Sequence, residues 1–311
     1  MQATDSKATQ FVTGGNLMAD CPRKVYVGTT ALWSIDPYFF QCCLKVQAEL
    51  LEKKLTGQSK IGSMLGFYAG ESPVGRSRNS LTAEFLKTDC TDLLFIDSDL
   101  IFSAEQIERI VLHEEDVVGG LYQMKCEGQP RICWNHKEGV TTPNEKGLME
   151  VCYIGTGFLR VRRRVFERMV AEFGEDIWYD TDNAQIKRER QYDFWRMGVY
   201  KYKNGDRRWL SEDWWFCQKC QDLGIPVYAD CSILARHSGN AIYPLSYQHD
   251  LLYPKKDLAA PVADSAGASR MTSPLVEAPA PISSDRIQPT PGFSMEHLNA
   301  AIPGEFERAI V

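Results

Sequence analysis

Short apolar runs alternate with amphipathic ones along most of the chain. Lys24 to Gly28 (KVYVG) predicts a strand, and Pro37 to Leu55 a helix. Ile61 to Phe67 predicts a second strand. Gly75 to Lys87 predicts a helix that turns Leu81 and Phe85 to a core. Asp92 to Ile96 (DLLFI) is a compact apolar strand. Ser103 stands where an N-cap belongs for a helix over Ser103 to His113, and Val117 and Val118 open another strand. In the second half, Glu150 to Ile154 predicts a strand, Arg163 to Phe173 a helix, Asp213 to Leu223 a helix and Ile225 to Ala229 a strand. The aromatic and charged stretch 176 to 209 reads as loop.

Strands alternating with helices imply an α/β domain with a mainly parallel central sheet flanked by helices. Its boundaries are set by composition. Residues 1 to 22 read as a flexible arm and 23 to 257 as the folded domain. Residues 258 to 311 turn to Ala, Pro and Ser and read as a disordered tail. Within the tail, Met295 to Ile302 is a short apolar-bearing piece suited to docking a partner.

The net charge of −6 is not the balance of a nucleic-acid binder. No apolar run is long enough to span a membrane, and Met1 to Asp20 lacks a signal-peptide core. The ten cysteines have no framework spacing, so reduced thiols and a cytoplasmic location are expected.

Ligands of such sheets bind beyond the C-terminal strand ends. There the chain places Asp97-Ser98-Asp99, directly after DLLFI. Alternation aims Asp97 and Asp99 to one side, giving a hard-oxygen site for Mn²⁺ or Mg²⁺. The alternative is two acids in a polar turn. Gly75-Arg76-Ser77-Arg78-Asn79 opens a helix, where Arg76 and Arg78 suit phosphate; a solvated helix start is the plainer reading. Gly155-Thr156-Gly157 permits close backbone approach to a ligand, or is a simple turn. Ser211-Glu212-Asp213 offers a helix cap with acids in the first turn, or a general base. His237 stands alone near the end of the patterned region.

Taken in order, VYVGTT at 25 to 30, GRSRN at 75 to 79, DSD at 97 to 99, GTG at 155 to 157, SED at 211 to 213 and His237 resemble the nucleotide-sugar glycosyltransferases of the GT-A fold, in the family 2-like group. LLFIDSD and SEDWWFC carry the likeness most closely, over about residues 23 to 240. The resemblance implies a metal-dependent transferase, with a hexosyl group as its cargo, a UDP- or GDP-sugar as donor and a hydroxyl-bearing acceptor. It implies that Asp99 and His237 bind the cation and that Asp97 contacts metal or ribose. Thr29, Thr30 and Arg78 would lie near base and diphosphate, and the glycine loop near donor sugar or acceptor. Asp213 would be the base of an inverting reaction, with Glu212 holding the acceptor. The first loop, GTTALW, departs from the group in lacking its Pro, which bears on the nucleoside contacts.

Three other readings compete. A sugar nucleotidyltransferase would need a Gly-rich, basic phosphate loop after the first strand, which GTTALW is not. A zinc-stabilised module could draw on Cys217, Cys220, Cys231 and His237, though the first two fall in an amphipathic helix. An inactive sugar-nucleotide or glycan binder would not need both acidic motifs. The basic cluster Arg160, Arg162, Arg163, Arg164 and Arg168 reads as a solvated strand end and helix face, or as a seat for an acidic acceptor.

Overall fold

The apolar runs become strands because each can bury both of its sides. A computed structural model describes residues 21–239, apart from 33, 71, 126–131, 133 and 182–188. In chain order the elements are β1 (Arg23–Ala31), α1 (Pro37–Leu55), β2 (Ile61–Ala69), α2 (Val74–Leu86), β3 (Asp92–Ile96) and β4 (Leu100–Ile101). Next come α3 (Ala104–Leu112), β5 (Val117–Tyr122), β6 (Trp134–His136), β7 (Leu148–Ile154), β8 (Phe158–Arg162) and α4 (Arg163–Ile177). The last are β9 (Trp178–Asp180), β10 (Arg190–Tyr192), β11 (Gly198–Lys201), β12 (Arg207–Leu210), α5 (Glu212–Asp222) and β13 (Val227–His237).

The central sheet runs β2-β1-β3-β8-β5-β13-β7-β6, with β4 on the far end of β13. β2, β1, β3, β5 and β13 point the same way, so the sheet is mostly parallel in direction. β8 is inserted antiparallel between β3 and β5. Alternating residues feed two apolar clusters. Tyr26, Leu93 and Phe95 face α2, α4 and α5, while Val25, Val27, Leu94 and Ile96 face α1 and α3. Ser103 closes a capping box at α3: its hydroxyl accepts from the Gln106 N–H, and its own N–H donates to the Gln106 side chain.

Two expectations need correction. The stretch read as loop, 176 to 209, contains two small antiparallel pairs, β9 with β10 and β11 with β12. Their strands are only three or four residues long and mostly half-buried or exposed, so no long alternation marks them. The basic cluster is a solvated face only in part: Arg164 and Arg168 are exposed on α4, Arg162 and Arg163 are half-buried. Arg160 is wholly buried and donates to the carbonyls of Ile110, His113, Glu115 and Asp116. Arg163 donates to the carbonyls of Phe85, Leu86, Thr88 and Cys90 and so closes the C-terminal end of α2. Arg162 reaches the His113 carbonyl and Glu114, Arg164 pairs with Asp116, and Arg168 donates to the Leu223 carbonyl. These arginines tie strand to helix ends.

The arm to residue 20 and the tail with Met295 to Ile302 lie outside the described residues. No helix among the described residues is long and apolar enough to cross a membrane.

Candidate functional site

β1, β3, β5 and β13 all end along one edge of the sheet, and the chemistry-bearing residues gather there. The turn Asp97-Ser98-Asp99 leaves β3, and each of its residues is pinned by a backbone bond. The Asp97 N–H donates to the Gly157 carbonyl (2.9 Å), the Asp36 N–H to the Ser98 carbonyl (3.1 Å), and the Ser238 N–H to the Asp99 carbonyl (2.7 Å). Asp36 also caps α1, accepting from the Tyr38 N–H, and accepts from the Ser238 hydroxyl at 2.7 Å. The acidic turn is therefore a rigid platform.

Two groups of charges stand on it. In the first, Arg78 of α2 donates to Asp97 at 3.0 Å and to Glu212 at the start of α5. Arg78 is only 4% exposed. Burial works against its charge, but Asp97 and Glu212, with smaller help from Tyr122 and Asp213, outweigh that and raise its pKa. Three motifs far apart in sequence thus meet at one guanidinium. Its Nε is buried without a partner among the described residues.

In the second group, Asp99 accepts from Lys125 at 2.6 Å and lies 3.2 Å from His237 Nε2. Burial pushes the Asp99 carboxyl up, but His237 and Lys125 hold it below the ordinary range. His237 Nδ1 lies 2.9 Å from the Gln123 carbonyl. The imidazole therefore has an acceptor on each side, and a neutral ring can donate to only one of them. Tyr122 packs edge-on to His237, and its hydroxyl accepts from the Gly157 N–H at 3.0 Å.

A Cβ at Gly157 would fall 2.7 Å from Asp97 Oδ2 and 2.7 Å from the Tyr122 hydroxyl, so a side chain there would push these groups aside. Beside it Thr156 is buried, its hydroxyl without a partner among the described residues. Asp213 accepts from the Trp214 N–H at 2.8 Å and from the Ser211 hydroxyl. Ser211 stands at the N-cap of α5 as expected, but its side chain makes no capping bond to backbone, because the hydroxyl turns to Asp213 instead.

Thr29 is buried and Thr30 half-buried at the end of β1. Among the described residues, no side-chain hydrogen bond joins either to the two charge groups. Arg76 instead lines a cavity of about 450 Å³ at the start of α2, with Gly75, Asn79, Asp193 and Trp195. A Cβ at Gly75 would sit 2.2 Å from the Trp195 carbonyl oxygen. Asn79 ties the 193–195 segment down, donating to Asp193 (2.8 Å) and accepting from the Trp195 N–H (3.1 Å).

Sequence reasoning missed Asp36, Tyr122, Lys125, Asp193 and Ser238. Tyr122 and Ser238 were findable in principle, since each ends or follows a strand at the ligand-binding edge. Asp36 is marked in the sequence only as the cap before Pro37, and nothing marks Lys125. The zinc ligand set is not assembled. Cys217 and Cys220 are fully buried in the α5 core, His237 is engaged with Asp99 and Gln123, and no three His, Cys, Asp or Glu side chains converge as a metal group among the described residues.

No protein-family model matches the chain, and no curated protein does. Among solved structures, the chain is similar to A197 from STIV, with 17% identity over 73% of this chain and 95% of that one and a TM-score of 0.41. It is similar to the inositol-1-phosphate CTP transferase from T. maritima, at 10% identity over 73% and 94% and a TM-score of 0.33. A third is a glycosyltransferase involved in glycosylation of the major capsid of PBCV-1, at 12% identity over 49% and 68% and a TM-score of 0.26. Likenesses at these scores carry no argument about activity.

Proposed function

We propose that the chain is a metal-dependent glycosyltransferase that moves a hexosyl group from a UDP- or GDP-sugar to a hydroxyl acceptor with inversion. The observation that carries this reading is the meeting of Arg78, Asp97 and Glu212 beside Asp99 and His237 at the C-terminal edge of the sheet. In this reading residues 23–257 are the catalytic domain and 258–311 a tail that docks a partner through Met295 to Ile302.

The residues fit an Mn²⁺ or Mg²⁺ ion. With a cation bound, Asp99 and His237 would hold it: the Gln123 carbonyl would accept from Nδ1–H and leave Nε2 free to ligate beside the Asp99 carboxylate. Asp99 is held ionised by its neighbours, as a ligand must be. Two protein ligands leave positions for substrate phosphates, as is usual for Mg²⁺ sites. A cation bound there supplies positive charge against the leaving diphosphate.

The chain's own residues do the rest. Arg78 sits pre-oriented behind Asp97 and adds fixed positive charge where negative charge develops. Thr156, with its buried unpartnered hydroxyl beside Gly157, offers a hydrogen bond to donor sugar or acceptor. Arg78 holds Glu212 in place to orient the acceptor, while Asp213, one residue on at the N-terminus of α5, accepts the acceptor's proton as the new bond forms. Thr29, Thr30 and Arg76 frame the nucleoside and diphosphate side.

A hydrolysis screen across UDP-, GDP-, CMP- and dTDP-sugars, with the anomeric configuration of the released sugar followed by NMR, tests the reading. Turnover of a UDP- or GDP-sugar with inversion supports it. No turnover of any donor, or release with retention, contradicts the donor class or the base respectively.

A further inference from the structure

Helix α1 has two apolar faces. Phe39, Cys43, Val46 and Leu50 are buried in the cluster shared with α3. On the opposite side Phe40, Leu44, Ala48, Leu51 and Leu55 follow one another at four, four, three and four residues, which is one helical stripe. That stripe faces solvent: Phe40 is 53% exposed, Leu44 59%, Leu51 40% and Leu55 71%, and Ala48 is exposed too. A scattered exposed leucine needs no explanation, but an apolar stripe of ~23 Å along a 19-residue helix does.

The stripe is nearly symmetric about its middle. The small Ala48 sits at the centre, with Leu44 and Phe40 before it and Leu51 and Leu55 after it. An antiparallel second α1 related by a two-fold axis would set Leu44 against the partner's Leu51 and Phe40 against the partner's Leu55. The two helices would approach closely at Ala48. The flanking charges follow the same symmetry. Lys45 and Glu52 are both exposed, and each stands one residue beyond a stripe leucine, so they share one flank. A two-fold axis perpendicular to the helix pair keeps that flank on one side in both copies. Lys45 then meets the partner's Glu52, and Glu52 meets the partner's Lys45. A parallel pair, whose two-fold runs along the helices, would put the two flanks on opposite sides and leave Lys45 and Glu52 unmatched across the pair. Within a single chain Lys45 makes only a 3.7 Å contact to Glu49 and is 72% exposed.

We infer that α1 is the contact between two copies of this chain, an isologous antiparallel helix pair crossing at Ala48. The inference is independent of the transferase reading. One helix pair buries less than the roughly 800 Å² per partner of a standard interface, so the dimer dissociates on dilution.

The test is sedimentation velocity of the full chain over a concentration series. Wild type is expected to pass from monomer to dimer. Leu44→Glu is expected to stay monomeric with an unchanged far-ultraviolet circular dichroism spectrum, since its side chain is mostly in water. Lys45→Glu and Glu52→Lys each place like charges across the two-fold twice. Each is expected to raise the dissociation constant roughly three- to thirtyfold. The double variant Lys45→Glu/Glu52→Lys restores wild-type dimerisation, a rescue that only the antiparallel register gives. A monomer throughout, or a dimer indifferent to Leu44→Glu, overturns the inference. Failure of the double variant to restore the dimer overturns the register. A chain that stays monomeric but sediments with phosphatidylcholine–phosphatidylserine vesicles, and loses this with Leu44→Glu, assigns the stripe to a membrane surface and overturns it as well.

Discussion

Arg78 and Arg160 show how differently two buried guanidiniums can be used. Arg160 is satisfied by four carbonyls, with Asp92 3.8 Å away, and burial lowers its pKa to about 10. It touches no candidate site residue. Arg160→Met leaves those carbonyls buried and unpaired, so the chain should lose about 3–5 kcal/mol of stability, read as a lower urea midpoint. A stability loss of less than about a tenth of that would show the carbonyls find other partners. Arg78 is paired with side chains that the proposed chemistry needs, so its loss mixes stability with activity. The neighbouring acids separate more cleanly. Asp213→Asn should cut turnover on the order of 10²–10⁴-fold with donor affinity little changed. Glu212→Gln should weaken acceptor saturation first, because Arg78 positions Glu212 but not the proton transfer. Equal losses in donor affinity and turnover for Asp213→Asn would place it in donor binding instead.

At the scale of elements, β13 carries more pattern than its opening apolar run, Ile225 to Ala229, shows. Val227, Ala229, Cys231, Ile233 and Ala235 are apolar at every second position, with Asp230 and Ser232 between them and Arg236 after, so the alternation that marks the strand continues past the run. The strand runs on to His237 through a register shift between Asp230 and Leu234. Asp230 is the reason this is tolerated. It is fully buried and accepts from Arg109 (2.6 Å), from the Ser232 N–H (2.9 Å) and from the Ser232 hydroxyl (2.6 Å), with His113 Nε2 at 2.7 Å. Burial alone would raise its pKa, but His113, Ser232 and Arg109 together lower it. A carboxyl with a depressed folded pKa stabilises fully above its unfolded value of about 3.9, and that stabilisation is lost as pH falls through the folded pKa. The melting-temperature gap between the chain and Asp230→Asn should thus be open at pH 5 and close below about 4. A gap that stays constant into acid would mean that Asp230 is not the group that titrates. The long elements, from β1 through α3 and again α4 and α5, were legible because their apolar periods extend over several turns or a full buried strand. The hairpins β9 to β12 were not, since a three-residue strand has no period to read. The site's motifs were legible one by one. Their joining through Arg78 was not, because Arg78 and Glu212 are 134 residues apart and only the fold brings them together.

For the molecule as a whole, we propose on composition alone that the Ala/Pro/Ser-rich segment 258–311 is dispensable for fold and turnover. A chain ending at Asp257 should keep its melting temperature and its donor turnover. Loss of either would put the domain boundary further along. The central claim is that Asp99, paired with His237 on a rigid turn, holds a divalent cation against a nucleotide-sugar diphosphate. It is tested most directly by UDP- and GDP-sugar turnover of wild type and Asp99→Asn, each with Mn²⁺ and with excess chelator. The account predicts turnover by wild type with the cation, none in chelator, and near-complete loss in Asp99→Asn at an unchanged melting temperature. Full turnover in chelator, or by Asp99→Asn, would contradict it.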